Sequence, residues 1–170
     1  MDATRLDRGS TDTTTIYSER GDLSFERTFD APREQVWQAL TDPKIVPFWW
    51  GPHGTTTRVV EMDVRPGGAW RYISSAPDRD DVAFFGEYLE IDPPAGYKWT
   101  FLFDVEGSGT QGGPETFVLE DVDGRTRVRS TSHMGSEVAV EGALAGGMVG
   151  GAIETLDRLD SLLSSDVAKA

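Results

Sequence analysis

The sequence predicts an α+β fold in which a curved antiparallel sheet wraps around one long C-terminal helix. Three observations carry this expectation. Across most of Leu23 to Thr131 the apolar residues return at every second position, the period of strands. From Glu141 to Ser164 the period becomes helical, with Leu144, Met148, Ala152, Leu156, Leu159 and Leu163 at steps of four, four, four, three and four. Between the first strand and the rest, two proline-led capping signals mark short helices.

Taken in order, Leu23, Phe25, Arg27 and Phe29 alternate with Ser24, Glu26 and Thr28, giving a first strand that Asp30-Ala31-Pro32 stops. Proline suits the first helical position and Glu34 suits the positive end of the dipole, so Pro32 to Leu40 is read as a short helix packed through Val36, Trp37 and Leu40. Thr41-Asp42-Pro43 starts a second short helix through Ile45, Val46 and Phe48, which ends at Trp49-Trp50-Gly51-Pro52. Thr55 to Val64 is β-branched, and Arg65-Pro66-Gly67-Gly68 has the composition of a type II turn leading to a return strand, Ala69 to Ser75. Trp70 and Tyr72 share one face of that strand; Arg71 and Ile73 share the other.

A polar loop, Pro77 to Asp81, precedes a strand from Val82 to Ile91, which Asp92-Pro93-Pro94 breaks. Trp99, Phe101, Phe103 and Val105 then alternate with Thr100, Leu102 and Asp104 as a half-buried strand. Glu106 to Gly113 reads as a glycine-rich loop, and Thr116 to Asp121 pairs with Thr126 to Thr131 across Asp123-Gly124. Arg125, Arg127 and Arg129 mark the solvent face of the last strand, so Val128, Ser130 and Ser132 look inward. That makes seven strands. Gly142, Gly146, Gly147, Gly150 and Gly151 crowd the N-terminal half of the terminal helix, at about 1 kcal/mol each relative to alanine.

Composition narrows the function classes. A chain of 170 residues fills one domain without staples, and the absence of cysteine excludes thiol catalysis, disulfides and thiolate metal sites. A net charge of −13 repels phosphate backbones and anionic headgroups, so nucleic acid is not expected as a partner. Residues 1–15 are polar and read as a disordered tail ahead of a single domain over residues 16–165. No run reaches the roughly 18 apolar residues of a membrane span, so no membrane insertion and a cytoplasmic location are expected. Two isolated histidines offer no metal site, and no cofactor is expected.

Several segments together resemble a known family: Phe29-Asp30-Ala31-Pro32 with Val36-Trp37, Trp49-Trp50-Gly51-Pro52, Arg65-Pro66-Gly67-Gly68, Asp123-Gly124 with Thr126, and Leu156-Asp157-Arg158-Leu159. The chain is similar, from about Asp22 to Leu163, to the START-like (SRPBCC) superfamily and, within it, to the homologues of the activator of the 90-kDa heat-shock protein ATPase. The resemblance implies a helix-grip fold with an apolar cavity between a seven-stranded sheet and the terminal helix. It also implies binding of a small hydrophobic, aromatic or lipid-like ligand, as carrier or sensor and without catalysis. Two alternatives stay open: a cofactor-free cyclase or hydrolase using a pocket histidine, and a chaperone ATPase co-factor acting through protein interaction. Self-association also stays open. Where the family usually carries Gly-Trp, this chain has Gly151-Ala152, so the expectation is an enlarged cavity centred on Ala152.

The candidate lining residues are Trp49, Trp50, Trp70, Tyr72, Trp99, Phe101, Phe103 and Phe117 from the first two-thirds of the chain, with His133, Met148, Ala152 and Leu156 near its end. Aromatic side chains with few polar anchors suit an apolar ligand, and they serve as plainly as core. At most one indole of Trp49-Trp50 is expected to face a ligand. His133 is the candidate polar anchor, but no orienting partner for a catalytic base is evident. Glu61, Asp63, Glu87 and Glu90 fit a solvated face, and Arg71 points away from Trp70 and Tyr72.

Overall fold

The computed structural model describes residues 5–165. Its strands are β1 (Leu6–Asp7), β2 (Thr15–Glu19), β3 (Asp22–Phe29), β4 (Thr56–Met62), β5 (Ala69–Ala76), β6 (Arg79–Asp92), β7 (Gly96–Val105), β8 (Gly109–Val122) and β9 (Arg125–His133). They form one antiparallel sheet in the order β1-β2-β3-β9-β8-β7-β6-β5-β4. Helix α1 (Arg33–Thr41) and a single 3-10 turn (Val46–Phe48) separate β3 from β4, and α2 (Glu137–Ala145) and α3 (Met148–Leu163) close the described chain. This is the expected α+β, helix-grip-like plan, with nine strands instead of seven.

The two additional strands lie ahead of β3. Arg20 and Gly21 both take positive φ, 54° and 85°, as the two-residue turn of a tight hairpin requires, and so join β2 to β3. Asp123 and Gly124 repeat the same geometry between β8 and β9, at 54° and 85°. Within the stretch expected as a disordered tail, Leu6 pairs with Ser18, and the Arg5 guanidinium lies 3.8 Å from the centre of the Tyr17 ring. Residues 1–4 lie outside the described residues. Elsewhere the hairpin at Arg65 has Gly67 at φ 83°, with the Gly68 N–H donating to Arg65 O at 2.8 Å, which is the type II turn its composition predicts.

The terminal helix is two helices. The Ser136 hydroxyl caps α2 by accepting from Ala139 N–H at 3.1 Å, so helix begins before Glu141. Gly146 and Gly147 then break the chain, with Gly147 left-handed at φ 83°, before α3 starts. The expected continuous helix fails at this pair because glycine adopts that conformation without steric cost. Arg8 ties the N-terminal segment to α2, donating to Glu137 at 3.0 Å and Glu141 at 2.5 Å, and to β2 through Ser18 at 2.8 Å.

Side chains on the inner face of the sheet build the core against α1 and α3. The main cluster joins Phe29, Val36, Leu40, Trp70, Tyr88, Trp99, Leu119, Leu159 and Leu163, and a smaller one joins Ile16, Leu23, Phe25 and Val140. Polar contacts fix where α3 lies. Arg27, buried on β3, donates to Asp157 at 2.6 Å and to Asp160 at 3.0 Å. Arg158 reaches the segment after the 3-10 turn, donating to Gly51 O at 2.9 Å and Pro52 O at 3.3 Å.

Candidate functional site

Pairing register decides which side chains share the inner face. Trp70 lies opposite Gly86, Tyr72 opposite Phe84, Phe84 opposite Phe103, and Tyr88 opposite Trp99. On the next strands Trp99 opposes Glu115, which opposes Ser132, while Tyr97 opposes Phe117, which opposes Ser130. Partners in a ladder point to the same side, so these residues form one continuous surface of aromatic and small polar groups. Trp70 and Trp99 stack at 4.0 Å between ring centroids with planes 15° apart, and Trp50 meets Tyr72 and Phe84 edge-on at 5.2 and 4.9 Å.

The predicted lining residues divide into two groups. Trp49, Trp70, Tyr72 and Trp99 are buried core, and the Trp49 indole N–H is spent on Ala39 O at 2.9 Å. Trp50, Phe101, Phe103, Phe117 and Leu156 are half-buried, so each leaves apolar surface uncovered beside that core. Phe84, absent from the sequence prediction, belongs with them. Its parity with Val82 on a strand was the available signal.

Two expectations about position change. Ala152 and Met148 pack against the smaller cluster with Leu23, Phe25 and Val140, not against the indoles, so the open aromatic surface is not centred on Ala152. Leu156 is the lining residue that touches both clusters. His133 lies on the opposite, convex face, where its Nδ1 sits 3.2 Å from Asp22 Oδ2 and its Nε2 2.8 Å from Thr116 Oγ1. The alternation that sends Ser130 and Ser132 inward sends residue 133 outward. Arg71 also lies on the convex face, its guanidinium 5.2 Å from the centre of the Phe85 ring.

Glu115 is the inward carboxylate beside Trp99. The Trp99 indole N–H donates to its Oε1 at 2.9 Å and the Ser132 hydroxyl donates to its Oε2 at 3.1 Å. Burial pushes this carboxyl above the usual glutamate value, and the two hydrogen bonds pull it back only in part. Gly113 is next on the same face of β8, opposite Phe101, and a Cβ there would meet nothing nearer than His133 O at 3.9 Å. Space is therefore left beside the carboxylate. The sequence signal for Glu115 is its parity with Phe117, hidden because the glycines of Glu106 to Gly113 read as loop and the strand reads as starting at Thr116. Among the described residues, no three histidine, aspartate or glutamate side chains gather as a metal site, and no helix is long and apolar enough to cross a membrane.

The sequence matches the family described as Activator of Hsp90 ATPase homolog 1-like protein over residues 30–164. None of the curated proteins matches it. Among solved structures, a Staphylococcus epidermidis protein is similar at 29% identity, with a TM-score of 0.75 over 88% of this chain and 93% of its own. Protein Ms6760 from Mycobacterium smegmatis is similar at 27% identity, with a TM-score of 0.74 over 85% and 91%. A Rhodobacter sphaeroides protein is similar at 25% identity, with a TM-score of 0.79 over 89% and 98%.

Proposed function

This chain belongs to the Activator of Hsp90 ATPase homolog 1-like family, within the START-like superfamily, and on that premise we propose that it binds a small apolar or aromatic molecule on the inner face of its sheet, as a carrier or sensor. One observation carries the reading. Trp50, Phe84, Phe101, Phe103 and Phe117 present aromatic surface that the helices leave only half-buried, in a chain whose other aromatic side chains are mostly buried. Exposed apolar surface with a few convergent polar groups is the usual make-up of a small-molecule site. Burial of that surface by a ligand is worth about 25 cal/mol per Å² before the costs of association.

A catalytic role through His133 has no support from this arrangement, since the imidazole is held on the convex side away from the aromatic surface. The test is a thermal-shift panel of aromatic and aliphatic compounds, paired with native mass spectrometry of freshly purified protein. A saturating ligand at 100 times its Kd raises stability by about 2.7 kcal/mol. Loss of that shift in Phe101→Ser, with the unliganded protein still folded, is expected. No shift from any compound class, and no co-purified mass, would refute the reading.

A further inference from the structure

We propose that the ligand carries a protonated amine, seated on the Glu115 carboxylate with its apolar body against Phe101 and Phe117. This deepens the reading of the inner face as a small-molecule site and depends on it. The argument begins with charge. Among the described residues the buried charged side chain is Arg27, and Asp157 and Asp160 already neutralise it. Glu115 forms no ion pair among the described residues: its two hydrogen-bond donors, Trp99 and Ser132, are neutral, and the His133 imidazole, engaged by Asp22, acts on it only through space. A carboxylate offers about four acceptor positions, so these two donors leave capacity unused.

What surrounds it selects for a cation. Phe101 and Phe117 flank the position by register, and a cation lodged over an aromatic ring is attracted by its π electrons. Gly113 leaves open the place where a side chain would otherwise cover the carboxylate, and its φ is one that other residues adopt freely. An anionic ligand would meet a carboxylate with no ion-pair partner as well as a net charge of −13. Burial already disfavours the ionised form of Glu115, and an ammonium group would relieve that cost.

The experiment measures binding of three probes with the same ring system, 1-naphthylmethylamine, 1-naphthalenemethanol and 1-naphthaleneacetate, by tryptophan fluorescence and by thermal shift. The amine is expected to bind at least about tenfold more tightly than the alcohol, and the acetate least. In Glu115→Gln the amine-to-alcohol ratio is expected to fall to within about twofold. Gly113→Val, which fills the space beside the carboxylate without requiring an unusual φ, is expected to weaken the amine. Equal binding of amine and alcohol to the wild-type protein would overturn the amine assignment and leave the apolar-ligand reading standing. A preference that persists in Glu115→Gln would also overturn it, by tracing the selectivity to overall charge. Failure of all three probes, alongside a blank compound panel, would remove both readings together.

Discussion

Removing either side of the Arg27 ion triad should have unequal consequences, and the inequality follows from exposure. The Arg27 side chain is 5% exposed, whereas Asp157 and Asp160 are 46% and 44% exposed. If the aspartates become Asp157→Asn and Asp160→Asn, the guanidinium stays buried with only neutral acceptors. Breaking a buried pair from one side costs 3–5 kcal/mol, and the retained amide oxygens put this case at about 3 kcal/mol. If instead Arg27→Met removes the cation, both carboxylates turn to water and the thioether fills most of the volume, for about 1 kcal/mol. At 2–4 °C per kcal/mol for a chain of this size, the double variant should melt roughly 6–12 °C lower and Arg27→Met roughly 2–4 °C lower. Urea denaturation with a common m-value gives the free energies directly. Arg27→Met combined with the double aspartate change should cost little more than Arg27→Met alone, because the three residues act as a unit. If Arg27→Met proved as costly as the double variant, the claim that burial of the cation governs this contact would be wrong.

Three further outcomes follow from local geometry. Gly147→Ala should destabilise by about 1 kcal/mol through its left-handed φ, whereas Gly150→Ala, in helix with no atom near the added methyl, should stabilise by up to about 1 kcal/mol; chemical denaturation separates the two signs. Tyr88 is fully buried and, among the described residues, its hydroxyl makes no well-formed hydrogen bond, with the Tyr72 hydroxyl as its polar neighbour, so Tyr88→Phe should be neutral or stabilising by up to about 1 kcal/mol, and a loss above that in a melting curve would show that the Tyr72 contact stabilises the fold. The Gly21 N–H, then Ser18 and Arg8, hold the Glu137 carboxyl below the usual glutamate value of 4.5, so its contribution is present above that pH and is lost as pH falls through the lowered value. The melting temperature of Glu137→Gln should therefore lie below wild type at neutral pH and converge with it in acid.

Much of the architecture was legible because pattern and packing agree. The run from Trp99 to Val105 alternates cleanly, and the Asp123-Gly124 and Pro66-Gly67 turns adopt the geometry their residues dictate. The errors fall where pairing overrides propensity. Glu106 to Gly113 reads as loop from its glycines, yet β7 offers Gly109 to Gly113 a full ladder of partners and draws them into β8. The β1 segment, within residues 1–15, reads as a tail because its anchors, Glu137 and Glu141 against Arg8, lie more than a hundred residues downstream. At the site, the aromatic residues were recoverable from alternation alone. Their division into buried and half-exposed was not, since it depends on where α3 and Trp50 settle. Glu115 is hidden by the unclear start of its strand, and the expectation of an inward His133 conflicts with its own alternation with Ser132, which sends it out.

The pairing of β3 with β9 has a consequence for synthesis. Ser24 and Thr131 bond directly although they stand 107 positions apart in the chain. At translation rates of 5–20 residues per second, the β2–β3 hairpin waits on the order of ten seconds for its neighbour. Throughout that interval one edge of β3 presents unpaired peptide groups and Leu23, Phe25 and Phe29 lack their sheet and helix cover, which is the condition under which nascent chains recruit holdases or aggregate.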